Sequence, residues 1–421
     1  MNKKIAYIII SLIALLFLTA SYYKSLVRQI EQLPQFKQPK VAEQYSQNLR
    51  DTDSNTIATT ASSTKLSLNA RSACLMDASN NRVLYEKDGF TKMPMASTTK
   101  IMTLIVTLEN ADLDDVVTVS KNAARQPDVQ LNMKEGEQYK LGDLVYSLML
   151  ESHNDTAVAI AEHVGGSVEG FATMMNKKAK ELGCVNTNFV TPNGLDSSTD
   201  EHFTTAQEMG IIASYAIKNE EFVKITNTPS WNFKEIKSGR SFSVSNKDRF
   251  LYIYDGAIGI KTGYTNKAGY CFVGAVDRDG KKFVSVVLAS GWPPNKNYKW
   301  SDTTKLMDYG VKNFTMRNIF DEGRLFEPIF VRNGKESYVD LYCDGELNLL
   351  MSDTDKVTID YEISNELKAP VHKDSVAGTA KYYINDVLYE KFPIYTSYGI
   401  DKIDYGFCFD EIINLWFGIG N

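Results

Sequence analysis

The chain of 421 residues is poor in cysteine and histidine, and the few it has are dispersed. Cys74, Cys184, Cys271, Cys343 and Cys408 stand singly, with no C-x-x-C and no Cys/His cluster at zinc spacing. Neither a structural metal nor a redox dithiol is therefore indicated. An odd number of thiols leaves at least one unpaired within the chain, and all five read as buried apolar residues. A long basic run is also missing, and the net charge of −6 argues against a general nucleic-acid binder. Long apolar runs are absent except for Ile5 to Ala20, which Lys3 and Lys4 precede. That is the pattern of a secretory signal or short membrane anchor, so the expectation is an exported protein, membrane- or wall-associated. No Cys sits near the end of the run, and a lipoprotein anchor is not expected.

Three short polar stretches stand out from this background. Ser97-Thr98-Thr99-Lys100 opens STTKIMTLIVTLEN (97–110), whose apolar spacing predicts a helix. Ser97 and Lys100 would then leave one face about a turn apart. A serine hydroxyl is a poor nucleophile until a base takes its proton, and lysine is that base only if burial or a second cation keeps it neutral. The apolar run Ile101 to Leu108 supplies burial. By itself the pair reads as a helix cap and a solvated lysine. Ser152-His153-Asn154 and Lys261-Thr262-Gly263 follow in order, however. S-x-x-K, S-x-N and K-T-G together are a triple already known as the signature of class A β-lactamases and penicillin-binding proteins.

The text around these motifs resembles the D-alanyl-D-alanine carboxypeptidases, the low-molecular-mass penicillin-binding proteins. The matching segments are LMDASNNRVLYEKD (75–88), ASTTKIMT (96–103), ESHNDTAVAIAEHVGG (151–166), NFVTPNGLD (188–196) and GIKTGYT (259–265). They cover Leu66 to Phe314, and the following domain more weakly.

The resemblance implies an α+β fold. A β-lactamase/penicillin-binding-protein-like transpeptidase domain, a helical block embraced by an antiparallel sheet drawn from both its ends, precedes a small all-β domain. Pattern alone gives mixed α and β. We expect a signal peptide or N-terminal anchor over 1–24, a polar linker over 25–65, the catalytic domain over 66–318, the β-rich domain over 319–394 and an amphipathic tail over 395–421. Strands are predicted at Ser72–Met76, Arg82–Tyr85, Gly259–Thr265, Tyr270–Val276 and Phe283–Leu288. Helices are predicted at Leu141–Leu150, Thr156–His163, Gly170–Leu182 and Thr205–Ile217, which puts Ser152 and Asn154 on a connection between two of them. Beyond Phe314 short alternating segments follow: Phe326–Val331, Glu336–Leu341, Leu347–Met351, Lys356–Ile363 and Thr379–Tyr383. Asp374 stands where the family commonly has Gly, which questions one turn. The tail looks like a membrane-lying helix, but Asp401, Asp404, Asp410 and Glu411 outnumber Lys402, so only apolar burial remains to hold it on a lipid surface. Docking onto its own β domain is the alternative.

By the same resemblance the protein removes the terminal D-alanine from peptidoglycan stem peptides through an acyl-enzyme, and β-lactams acylate it. No cofactor is implied and no metal. Ser97 would be the nucleophile, Lys100 the base, Ser152 the proton relay, and Asn154 a bridge between Lys100 and a substrate carbonyl. Lys261 would depress the pKa of Lys100 and, with Thr262, hold the substrate carboxylate. Gly263 would let the substrate backbone approach, and Tyr264 would complete, with Ser97, a backbone oxyanion hole. His153 replaces the usual Gly or Asp and is expected to point outward. His163, His202 and His372 are read as structural. A class A-like β-lactamase would need a carboxylate to activate water, and no Glu-x-x-Leu-Asn occurs between Asn154 and Lys261. A catalytically silent penicillin-binding scaffold is the other competing reading.

Overall fold

The computed structural model describes residues 65–196 and 199–417, with isolated positions between 13 and 28. The expected linker thus lies almost wholly, and the expected signal or anchor largely, outside the described residues. Among the described residues no helix is long and apolar enough to cross a membrane. Two compact units are formed. One lies within Asn55–Arg317 and includes Leu350–Asp355, and the other takes in Asn318–Leu349 and Lys356–Asn421.

The first unit begins with a hairpin, β1 (Ser72–Asp77) and β2 (Arg82–Lys87). Five principal helices follow: α1 (Lys100–Asn110), α2 (Leu141–Leu150), α3 (Asn154–Gly165), α4 (Val168–Glu181) and α5 (Ala206–Ala216). Then come β3 (Ala257–Thr265), β4 (Gly269–Arg278), β5 (Lys281–Leu288) and α6 (Tyr298–Asn313). One sheet of order β2-β1-β5-β4-β3 results, antiparallel throughout, with β3 at an edge. Its strands come from both sides of the helical block, as the family resemblance implied.

Alternation along β1 divides the core. Cys74 and Met76 join the helical side, while Ala73 and Leu75 join Trp300, Leu306 and Met307 of α6 on the other face. Each of the larger apolar side chains so buried contributes about 1.5–3 kcal/mol. Helix starts follow local chemistry: Ser167 and Thr205 accept from the N–H of Gly170 and Glu208, capping α4 and α5. The β4–β5 turn carries Asp279 and Gly280 at φ +54° and +73°, the left-handed pair that a tight hairpin of right-twisted strands requires.

In the second unit β6 (Leu341–Cys343), β7 (Val357–Ile363), β8 (Val376–Ile384) and β9 (Val387–Thr396) form a sheet of order β6-β9-β8-β7. A second sheet pairs Ile329–Arg332 with Tyr338–Val339 and, in parallel, with Glu366–Lys368. The single strand expected over Glu336–Leu341 is therefore two, which part at Asp340 and serve different sheets. The questioned turn is made with aspartate: Asp374 sits at φ +62°, its N–H donates to Thr396 C=O (2.9 Å), and its carboxylate accepts from Tyr342 Oη (2.8 Å). The tail is the helix α7 (Tyr405–Phe417). Asp404 caps it by accepting from Phe407 N–H (2.8 Å), Cys408 and Ile412 are buried, and Trp416 is 67% exposed.

Candidate active site

The S-x-x-K stretch is not one continuous α-helix. Ala96–Thr99 is a 3-10 turn and α1 starts at Lys100. Ala96 has φ +48°, and Thr98 and Thr99 fold their hydroxyls back onto the carbonyls of Met95 (2.6 Å) and Ala96 (2.8 Å). These local bonds compete with α geometry, which is why the first turn is tighter. Half-buried Ser97 and fully buried Lys100 still meet, Oγ to Nζ at 3.0 Å.

Lys100 Nζ has two further partners, Asn154 Oδ1 at 2.8 Å and Asn193 C=O at 2.7 Å. Both are oxygens that only accept. An ammonium would donate to all three oxygens, whereas a neutral amine gives its two hydrogens to these carbonyls and turns its lone pair to the Ser97 hydroxyl; burial favours the second. Burial lowers the pKa of Lys100 far below that of a free lysine, the charge of Lys261 lowers it further, and Asp155 opposes.

Asn193 comes from the Thr191–Leu195 loop, which lies along α1. Thr103 Oγ1 donates to Pro192 C=O (2.6 Å), and Gly194 (φ +86°) packs so closely that a Cβ there would lie 2.0 Å from Ala96 O. In the sequence this loop is one of the segments that resemble the family, with no role assigned to it. A main-chain carbonyl has no side-chain signature, and the Pro-Asn-Gly turn was the available signal.

Asn154 is the first residue of α3 rather than part of the connection. Its Nδ2 donates to Pro127 C=O at 3.2 Å, which turns its oxygen toward Lys100. Ser152 sits at φ +68°, and its Oγ is buried without a hydrogen-bond partner, so it bonds to neither Ser97 nor Lys100. His153 does not point outward. It is 5% exposed, with Nδ1 2.8 Å from Ser147 Oγ and Nε2 3.4 Å from Glu151 Oε2. The left-handed turn at Ser152 directs it inward, and burial lowers its pKa, as do Lys100 and Lys261, against Asp155 and Glu151.

The edge strand β3 carries the third motif. Gly263 approaches the Ser97 turn: a Cβ on it would lie 3.0 Å from Ser97 N and 3.1 Å from Thr98 N. The missing side chain thus admits the turn itself, a reason distinct from admitting substrate. Tyr264 pairs with Tyr270 of β4, whose N–H and C=O are both engaged on the other side, with Gly291 O (2.9 Å) and Ser290 N (2.7 Å). The Tyr264 N–H and C=O therefore point off the open edge. Lys261 is buried, with Nζ 3.2 Å from Thr262 O. Burial lowers its pKa to about 8, opposed by Asp248. Asp248 was not anticipated. It is 4% exposed, and burial raises its carboxyl to about 7 while the Phe250 N–H, Lys261 and Lys299 pull it down.

The profile of the D-alanyl-D-alanine carboxypeptidase family matches residues 57–291. The chain belongs to that family. Residues 314–402 match the C-terminal domain of penicillin-binding protein 5. Among curated carboxypeptidases, DacF of Bacillus subtilis is 30% identical over 75% of this chain and 82% of its own length. DacC of Escherichia coli is 29% identical over 84% and 90%. Penicillin-binding protein 5 of Haemophilus influenzae superposes with a TM-score of 0.66 at 25% identity, covering 81% of this chain and all of that one.

Proposed function

We propose that this serine-type D-alanyl-D-alanine carboxypeptidase uses Ser97 as its acylated nucleophile and Lys100 as the base, and that it trims the terminal D-alanine of peptidoglycan stem peptides. The observation that carries the reading is the partner set of Lys100, two carbonyl oxygens and one hydroxyl. Ser97 Oγ attacks the carbonyl between the two D-alanines as its proton passes to Lys100 Nζ. The oxyanion is held by the N–H groups of Ser97 and Tyr264, which cost no reorganisation because the turn and the edge strand are already fixed. Collapse breaks the C–N bond, and the proton returns to the departing amine, with the unpartnered Ser152 hydroxyl as relay. Water then attacks the ester with Lys100 again as base, freeing the shortened peptide. Lys261 and the Thr262 hydroxyl take the substrate carboxylate, and the peptide pairs with β3 as an added strand.

The enzyme works outside the cytoplasmic membrane, where its substrate lies. The apolar Ile5–Ala20 run supports export, and the exposed Trp416 on α7 supports surface attachment through apolar burial.

Mass spectrometry after incubation with penicillin, and separately with a peptide ending in D-Ala-D-Ala, tests the reading. A long-lived adduct on Ser97 and release of one D-alanine are expected. Rapid turnover of penicillin would favour a β-lactamase, and no adduct with no release would leave only a scaffold.

A further inference from the structure

His202 is 1% exposed and lies outside the machinery described so far. Its ring touches two separate parts of the site. Nδ1 accepts from the N–H of Val190 at 3.0 Å, with Thr191 N–H at 3.4 Å, and Nε2 lies 2.7 Å from Thr99 Oγ1. These partners leave one tautomer. Two main-chain N–H groups aimed at Nδ1 require it to be bare, so the neutral ring carries its hydrogen on Nε2. The single hydrogen of Thr99 goes to Ala96 C=O at 2.8 Å, so its oxygen accepts from Nε2.

A directed chain results: Val190 N–H to the imidazole, the imidazole to the Thr99 hydroxyl, and that hydroxyl to the carbonyl of the residue before Ser97. One end is the strained turn at Ala96, φ +48°. The other leads three residues along to Asn193, whose carbonyl binds Lys100. We propose that His202 is a positioning residue that locks the nucleophile turn to the Asn193 loop and so sets the separation of Ser97 Oγ and Lys100 Nζ. The neutral ring that this requires agrees with a pKa lowered to about 4 by burial, with Lys267 and Lys100 adding to the effect.

The inference rests on the acylation chemistry proposed above and is tested on the full chain. Asparagine at 202 keeps an acceptor near Nδ1 but loses the distal donor, glutamine keeps the distal donor but leaves the Val190 N–H unmet, and Thr99→Val removes the next hydroxyl without changing shape. The second-order rate of acylation by a fluorescent penicillin is measured per folded molecule, with kcat and KM for a D-Ala-D-Ala peptide and a melting curve alongside. His202→Asn and Thr99→Val should each slow acylation roughly tenfold, lowering kcat with KM unchanged. The double variant should be no slower than the slower single, because both cut one chain. His202→Gln, which cuts the chain at its Val190 end, should slow acylation to a comparable extent. Wild-type acylation in Thr99→Val or in His202→Gln, or multiplying effects in the double variant, would overturn the proposal. Thr99→Val decides alone if His202→Asn does not fold. A wild-type protein that penicillin never labels would instead refute the proposed function.

Discussion

In the proposed mechanism Lys100 serves as a base only while uncharged, and Lys261 attracts a carboxylate only while charged. Two limbs follow in the acylation rate against pH. The rate rises as Lys100 loses its proton, at a pH well below that of a free lysine because of burial and Lys261. It falls again as Lys261 is neutralised, near pH 8. Asp248 is ionised above about pH 7, and its charge raises the Lys261 pKa. Replacing Asp248 by Asn should therefore move the alkaline limb to lower pH while leaving the acid limb in place. Acylation rates of the two proteins measured between pH 6 and about pH 10 check this; coincident alkaline limbs would remove Asp248 from the electrostatics of the site. His202 belongs to the same scale, since it acts through a hydrogen bond and not through its charge.

At the scale of elements, the decisive contact is between the edge strand β3 and the 3-10 turn. Gly263→Ala would put a methyl group 3.0 Å from Ser97 N. Its nearest neighbours include main-chain atoms, which yield only if strand and turn separate. We expect acylation at least about tenfold slower at a stability cost of roughly 1–3 kcal/mol. Rapid-mixing acylation and a denaturant titration measure the two effects, and a wild-type acylation rate would contradict the packing argument. Much of this layer was legible in the chain. Period-2 alternation gave the strands, 3.6-residue spacing gave α2 to α5, and the motifs gave Lys100, which bonds Ser97, and Asn154, which bonds Lys100. What escaped was set by backbone conformation or by tertiary contact. Nothing in STTK announces a 3-10 turn, since the preference lies in two threonine hydroxyls choosing carbonyls behind them. The inward turn of His153 depends on φ at Ser152. The first turns of α6, Tyr298 to Thr303, are largely polar, and Pro393 inside β9 hides a strand that its pairing with β6 and β8 maintains.

At the scale of the whole molecule, the two units are interlaced along the chain. Leu350 is fully buried in the core beneath α6, and Asp355 pairs with Arg82 Nη2 of β2 at 2.7 Å, both side chains nearly inaccessible. A short passage of the later sequence thus completes the earlier unit. Asp355→Ala should lower the stability of the penicillin-labelled unit by about 3–5 kcal/mol, the cost of stranding a buried charge. Pairing Arg82→Met with Asp355→Leu should restore most of it. Labelling retained after heating measures the loss; an Asp355→Ala protein as heat-resistant as its parent would show that the pair does not brace the fold. The open edge of β3 has a wider consequence. Its amide at position 264 is present whichever amino acid is encoded there, proline excepted. Drug resistance that arises through codon changes can reshape the walls of this cleft, but it cannot delete that donor. An antibiotic gripping the main chain would force an escaping variant to bend the strand, at the expense of its own turnover.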